Sequence, residues 1–259
     1  MATEHAPESE STTMPSLSYV VPAYNEEERL GESLAKLIAY SAAQPYAVEI
    51  LVVDDGSADR TAEVATAALA DLPHGVTANV IRYELNRGKG AAVRTGALAA
   101  SNDVVLYLDA DLATSPDQTP KLLDALASGA DIAIGSRIRP EGGDMRASQP
   151  AWRRVGGRAF AVLRRQLLLS DIEDTQCGFK AFSRPAAQAI FSRQQLDGWA
   201  FDAELLYLAH RLGYNVVQVP VEWHHVEGSR FKLDAGSAYR EVRDLVRVRW
   251  IHRGLSSGD

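Results

Sequence analysis

From Leu17 to Arg137 short apolar runs alternate with segments of helical periodicity, and this alternation limits the fold more than any other feature of the chain. LSYVVPA, EILVVDD, ANVIRYE, DVVLYLDAD and ADIAIGSR have strand length and are enriched in β-branched and aliphatic residues. NEEERLGESLAKLIAYSAAQ, Arg60–Asp71, KGAAVRTGALAAS and Pro116–Ser128 lie between them with apolar residues at helical spacing. Asn25 is read as the cap of the first helix, with glutamates in its first turn. Parallel neighbours need a long crossover, usually a helix, so this rhythm predicts a mostly parallel α/β sheet with helices on both faces. Such sheets bind ligands beyond the C-terminal ends of their strands.

Composition narrows the partners. The 259 residues are 46% hydrophobic, enough for one large core, and residues 17–254 are expected to form a single domain. Residues 1–16 are polar and acidic, without a basic or an apolar stretch, and read as a disordered tail rather than a signal peptide. A net charge of −7 argues against nucleic acid as a partner. Cys177 is the only cysteine, so no internal disulfide forms. No apolar run approaches the roughly 18 residues of a membrane span, which predicts a cytoplasmic protein.

The residues that need explaining sit at the strand ends: Pro22 and Tyr24, Asp54 and Asp55, Asn86 to Lys89, Asp109 and Asp111, Ser136 and Arg137. In YLDADLAT two carboxylates follow a buried run one residue apart. Capping of the next helix would account for one of them. A hard divalent cation, Mg²⁺ or Mn²⁺, accounts for both, because carboxylate oxygens hold it while leaving positions for phosphates. In VVDDGSADRT, Ser57 or Asp59 suits the helix cap, and Asp54 and Asp55 remain as acceptors for nucleobase N–H groups. NRGKGAAVRTG offers glycines, a helix start and Lys89 to an anion, without the spacing of a Walker loop. Further on, Asp202 and Glu204 alternate with apolar residues in AFDAELL and are candidate carboxylates. His224 and His225 lack the spaced partners of a metal site and read as structural.

Together VPAYNEEERL, VVDDGSADRT, NRGKGAAVRTG, YLDADLAT and GSR, in this order, resemble family 2 glycosyltransferases of the GT-A (Rossmann-like) fold. DTQCGFKAF, WAFDAELLYLA and VPVEWHHVEGSR are similar to the polyprenyl-phosphate hexosyltransferases of that family, its dolichyl-phosphate β-glucosyltransferases in particular. The resemblance implies an inverting transfer of a hexose, glucose from UDP-glucose or mannose from GDP-mannose, to a polyprenyl phosphate or a soluble phosphorylated acceptor. It implies that Pro22, Tyr24, Glu26, Asp54, Asp55, Lys89, Asp109 and Ala110 hold the nucleotide sugar. Asp109 and Asp111 would bind the metal, and Asp174 of the D-x-x-x-G-F-K motif would be catalytic, by orienting the acceptor or taking its proton. Ser136 and Arg137 would meet the acceptor phosphate.

Eight arginines stand against two acids between Arg137 and Arg165. Trp152, Val155, Val162 and Leu167 form a helical stripe there, among Arg153, Arg154, Arg158, Arg164 and Arg165. Tyr239, Val242, Val246 and Trp250 form a second stripe, flanked by Arg240, Arg243 and Arg247. Both could pack on the sheet, and both suit peripheral contact with an anionic membrane, on its cytoplasmic side.

Overall fold

The computed structural model describes residues 15–138, 172–224 and 235–255, with side chains in the last segment from Arg243 onward. The first arginine-rich stripe (152–168), His225, Arg230 and nearly all of the N-terminal tail lie outside the described residues, as do the side chains of Tyr239, Arg240 and Val242.

The strands are β1 (Leu17–Ala23), β2 (Val48–Asp54), β3 (Val76–Arg82), β4 (Val104–Leu108), β5 (Ile132–Ser136), β6 (Phe179–Ser183) and β7 (Val216–Pro220). They form one sheet in the order β3-β2-β1-β4-β6-β5-β7. All neighbours run parallel except β6, which is antiparallel to both β4 and β5. The helices are α1 (Leu30–Ala42), α2 (Thr61–Ala68), α3 (Lys89–Ala99), α4 (Thr119–Ala127), α5 (Arg184–Phe191), α6 (Phe201–Arg211) and α7 (Ala235–Ile251).

Alternate residues of each strand point to opposite faces, so one apolar run feeds two cores. Val20, Leu51, Val105, Tyr107, Ile134 and Phe182 pack with α3, α5 and α6 on one face. Tyr19, Val21, Ile50, Val52, Leu106 and Phe179 pack with α1 and α4 on the other. Strand order reverses between β1 and β4, where the chain leaves one half of the sheet for the other, and a crevice opens at such a point.

Two expectations change. Asn25 does not cap a helix, since α1 begins at Leu30 and Asn25 adopts a left-handed φ of +54°. Its Oδ1 accepts the N–H of Ala58 at 2.9 Å, so it ties two loops together instead. The motif DTQCGFKAF runs into β6, a strand whose apolar run Lys180 interrupts at its second residue.

Candidate active site

The C-terminal ends of β1, β2, β4 and β5, and the N-terminal end of antiparallel β6, share one edge of the sheet. All the sequence-selected strand-end residues therefore lie along that edge.

On the β2 side the acids organise loops. Asp54 is fully buried; its Oδ1 accepts the Ser57 N–H at 3.0 Å, and Arg82 Nε stands 3.2 Å from its Oδ2 at an angle too poor for a hydrogen bond. Asp55 accepts Asn86 Nδ2 at 2.8 Å, Arg87 N at 2.7 Å and Gly88 N at 2.8 Å, so it shapes the loop leading into α3. Burial raises its pKa, against the pull of those donors. Pro22 lies at the end of β1, and the ring of Tyr24 beyond it is 39% exposed at the edge. Glu26 is buried against Arg29, which grips its carboxylate with Nε and Nη2 and stands 4.0 Å from Asp111.

At the centre, Lys89 opens α3 and sets its Nζ 2.6 Å from Asp109 Oδ1. Burial alone would lower the Lys89 pKa; Asp109, Asp202 and Asp111 more than offset it and hold the ammonium charged. Ala110 is buried. Asp111 accepts the Ala113 N–H at 3.1 Å, and its pKa is raised by burial and then by the charge of Asp109. This is a pair of hard oxygen donors whose mutual repulsion a cation would relieve, and the residues fit a divalent ion on that ground. Among the described residues no group of three or more His, Cys, Asp or Glu gathers.

On the β5 side Arg137 and Asp174 pair. Nε meets Oδ2 and Nη2 meets Oδ1, both at 2.7 Å, with the Arg137 N–H at 3.0 Å to Oδ2. Asp174 is 1% exposed. The guanidinium also lies over the Trp223 ring, 5.6 Å from its centroid. Ser136 is buried and closes a turn with the main chain of Ile138 at 3.3 Å. The Cys177 thiol is fully enclosed, and burial pushes its pKa up to about 12, which leaves it inert.

Asp202 and Glu204 lie beneath the edge rather than on it. Glu204 accepts the N–H groups of Gln195 at 2.9 Å and Leu196 at 2.8 Å, and its Oε1 lies 2.7 Å from His252 Nε2, a bolt between α6 and the end of α7. His224 donates its main-chain N–H to Ala113 O at 2.8 Å. Sequence reading passed over Lys180 and Tyr107, although a lysine flanked by Phe179 and Phe182 in a buried run is a visible anomaly.

The same fold recurs in solved glycosyltransferases. Glucosyl-3-phosphoglycerate synthase from Mycobacterium tuberculosis, solved in complex with Mn²⁺, UDP and phosphoglyceric acid, aligns with a TM-score of 0.62 at 22% identity, over 94% of this chain and 80% of that one. Mannosyl-3-phosphoglycerate synthase from Rubrobacter xylanophilus aligns with a TM-score of 0.66 at 22% identity, over 92% and 74%. The architecture is that of a GT-A glycosyltransferase. Residues 18–191 match the family model for glycosyl transferase family 2, and the chain belongs to that family. It is similar to the dolichyl-phosphate beta-glucosyltransferase of Drosophila melanogaster, 40% identical over 83% of this chain and 68% of that protein. The Homo sapiens protein of that name is 35% identical over 90% of this chain and 74% of its own length. This protein is a glycosyltransferase. No helix among the described residues is long and apolar enough to cross a membrane.

Proposed function

We propose that the enzyme moves glucose from UDP-glucose, with inversion, onto a polyprenyl or dolichyl phosphate at the cytoplasmic face of a membrane. One observation carries the reading: two charged units, Lys89–Asp109–Asp111 and Arg137–Asp174, stand on the same sheet edge. The names of the relatives supply the sugar and the lipid.

The first unit takes the donor. Tyr24, with Pro22 and Glu26, faces the nucleoside, and Asp54 and Asp55 brace the wall behind it. Held by Asp109 and Asp111, Mg²⁺ or Mn²⁺ would supply Lewis-acid stabilisation to the leaving diphosphate. Lys89, kept protonated by its acidic neighbours, adds ammonium donors where that negative charge grows.

The second unit takes the acceptor. A phosphate monoester is largely dianionic at neutral pH, its second pKa being about 6, so its oxygen needs no base. Arg137 spends Nε and one Nη2 hydrogen on Asp174, whose two oxygens hold the guanidinium in place, and its other N–H groups, on Nη1 and Nη2, form a second planar edge matched to phosphate. Asp174 therefore orients the acceptor through Arg137 rather than taking a proton, and Ser136 fixes the turn that carries Arg137.

The exposed side of α7 would meet the membrane. Val246 and Trp250 are 53% and 65% exposed, beside exposed Arg247, Arg249 and Arg253. Basic residues at an anionic surface contribute about 1 kcal/mol each, screened by salt. Sedimentation with anionic vesicles at low salt, lost at high salt, is the expected behaviour; a protein that stays in solution at low salt contradicts this contact.

Calorimetry tests the donor. With Mn²⁺ present, UDP should bind at least tenfold tighter than GDP, and chelation should abolish the difference. Tighter GDP binding would mark a GDP-mannose enzyme instead.

A further inference from the structure

We propose that Lys180 is a positioning residue of the donor site, acting from within the core. The proposal rests on the reading of Asp109 and Lys89 as donor contacts. Lys180 has no exposed surface, and it lies in β6 with strands on both sides. An ammonium has three donors and no acceptor, so each bond must be found indoors. Two are found: Nζ reaches Asp202 Oδ1 at 2.5 Å and the Cys177 carbonyl at 2.6 Å. The third direction is covered by the Tyr107 ring, whose centroid lies 5.2 Å away, and the Tyr107 hydroxyl donates to the same Asp202 oxygen.

Each of these three partners leads to a different part of the donor site. Cys177 precedes Gly178, whose carbonyl accepts the Asp109 N–H at 3.2 Å. A Cβ at Gly178 would lie 2.1 Å from Asp109 Oδ2, so the Asp109 carboxylate rests directly on this turn. Tyr107 stands two residues before Asp109 on β4, in register with Lys180. Asp202 lies in the first turn of α6, next to Phe201 and three residues after Trp199. The two rings lie 6.0 and 5.3 Å from Lys89 Nζ, and Phe201 also packs on Gly90, where a Cβ would meet it at 2.7 Å. One nitrogen thus ties together the Cys177–Gly178 turn under Asp109, the strand that presents Asp109, and the helix start that walls in Lys89.

Stability alone does not call for this arrangement. A buried ion pair is often matched or bettered by apolar residues of the same volume, whereas removing one partner is severe. A central strand rich in phenylalanine would accept methionine in place of Lys180. What methionine cannot do is hold three separate elements at fixed distances.

The test uses the full-length protein and the variants Lys180→Met/Asp202→Asn, which removes both charges together, and Tyr107→Phe, which removes a single hydroxyl. The double variant should melt close to the parent. Its donor KM should rise and its kcat fall, each at least tenfold, while the acceptor KM stays within twofold. Without any ligand, amide exchange at Gly90–Val93, Asp109 and Phe201–Glu204 should quicken at least tenfold, with β2 and β3 unchanged. A folded double variant with parental exchange and parental donor kinetics overturns the proposal. If the double variant does not fold, Tyr107→Phe decides: a threefold or greater loss in donor kcat/KM supports the role, and parental values refute it. A wrong donor assignment would appear differently, as a parent protein that uses neither UDP- nor GDP-sugars, and the exchange measurement would still decide on Lys180.

Discussion

Arg137 meets both carboxylate oxygens of Asp174 with two side-chain N–H groups at 2.7 Å. Burial is nearly complete, so this pair is costly to break: removing either partner strands the other charge, at about 3–5 kcal/mol. Arg137→Ala would therefore confuse stability with function. Arg137→Lys keeps the charge and loses the fork. In steady-state kinetics it should raise the acceptor KM at least tenfold and leave the donor KM within twofold. An equal rise in both would remove Arg137 from the acceptor side.

Gly178 has no room for a side chain, because a Cβ would press on Asp109 Cγ at 2.4 Å as well as on its oxygen. Gly178→Ala should turn the carboxylate away from Asp111 and lower turnover about a hundredfold, an effect equivalent to roughly 2.7 kcal/mol in the barrier. Asp109→Asn should be at least as severe. Calorimetry should show metal-dependent nucleotide binding weakened in both, with thermal midpoints near the parent's. Full activity in Gly178→Ala would mean that Asp109 is not held where the donor needs it.

Alkaline pH should unfold the protein through its buried acids. Burial raises the pKa of Tyr19, Tyr107 and Cys177, so the folded chain keeps protons that the unfolded chain releases. Fewer protons bound in the unfolded state means that stability falls as pH rises. The stabilisation is complete below the unfolded values, about 8.5 for thiol and 10 for phenol, and is lost above them by about 1.4 kcal/mol per unit per group. Tyr19→Phe should leave the decline unchanged below about pH 9 and flatten it by nearly one proton at about pH 11 in denaturant titrations. A parental slope in this variant would contradict the linkage.

What could be read from the sequence was what local chemistry decides. LSYVVPA ends as β1 with the bounds its apolar run suggests, and the strand-end acids do collect on one edge because every parallel strand delivers its C-terminus there. Four features depended on distant parts of the chain. Lys180 visibly interrupts the apolar pattern of β6, but its role becomes legible only beside Asp202, contributed by a helix 22 residues further along. An antiparallel strand also needs no helical crossover, so β6 falls outside the rhythm that revealed the others. Asn25 has the chemistry of a helix cap, yet its Oδ1 meets Ala58 on the neighbouring loop. Asp55 has the chemistry of a base acceptor, and it also accepts the N–H groups of Arg87 and Gly88, 32 and 33 residues further along, a second role that its local sequence does not display.

The transfer reaction itself is the decisive measurement. Purified protein would be mixed with radiolabelled UDP-glucose, Mn²⁺ and a polyprenyl phosphate in anionic vesicles, and the lipid fraction analysed for a glucosyl phosphate. A β-linked glucosyl lipid should form only with the divalent ion and disappear in Asp109→Asn. Label that stays out of the lipid while a soluble phosphorylated acceptor is glucosylated at the same enzyme concentration would contradict the proposed function.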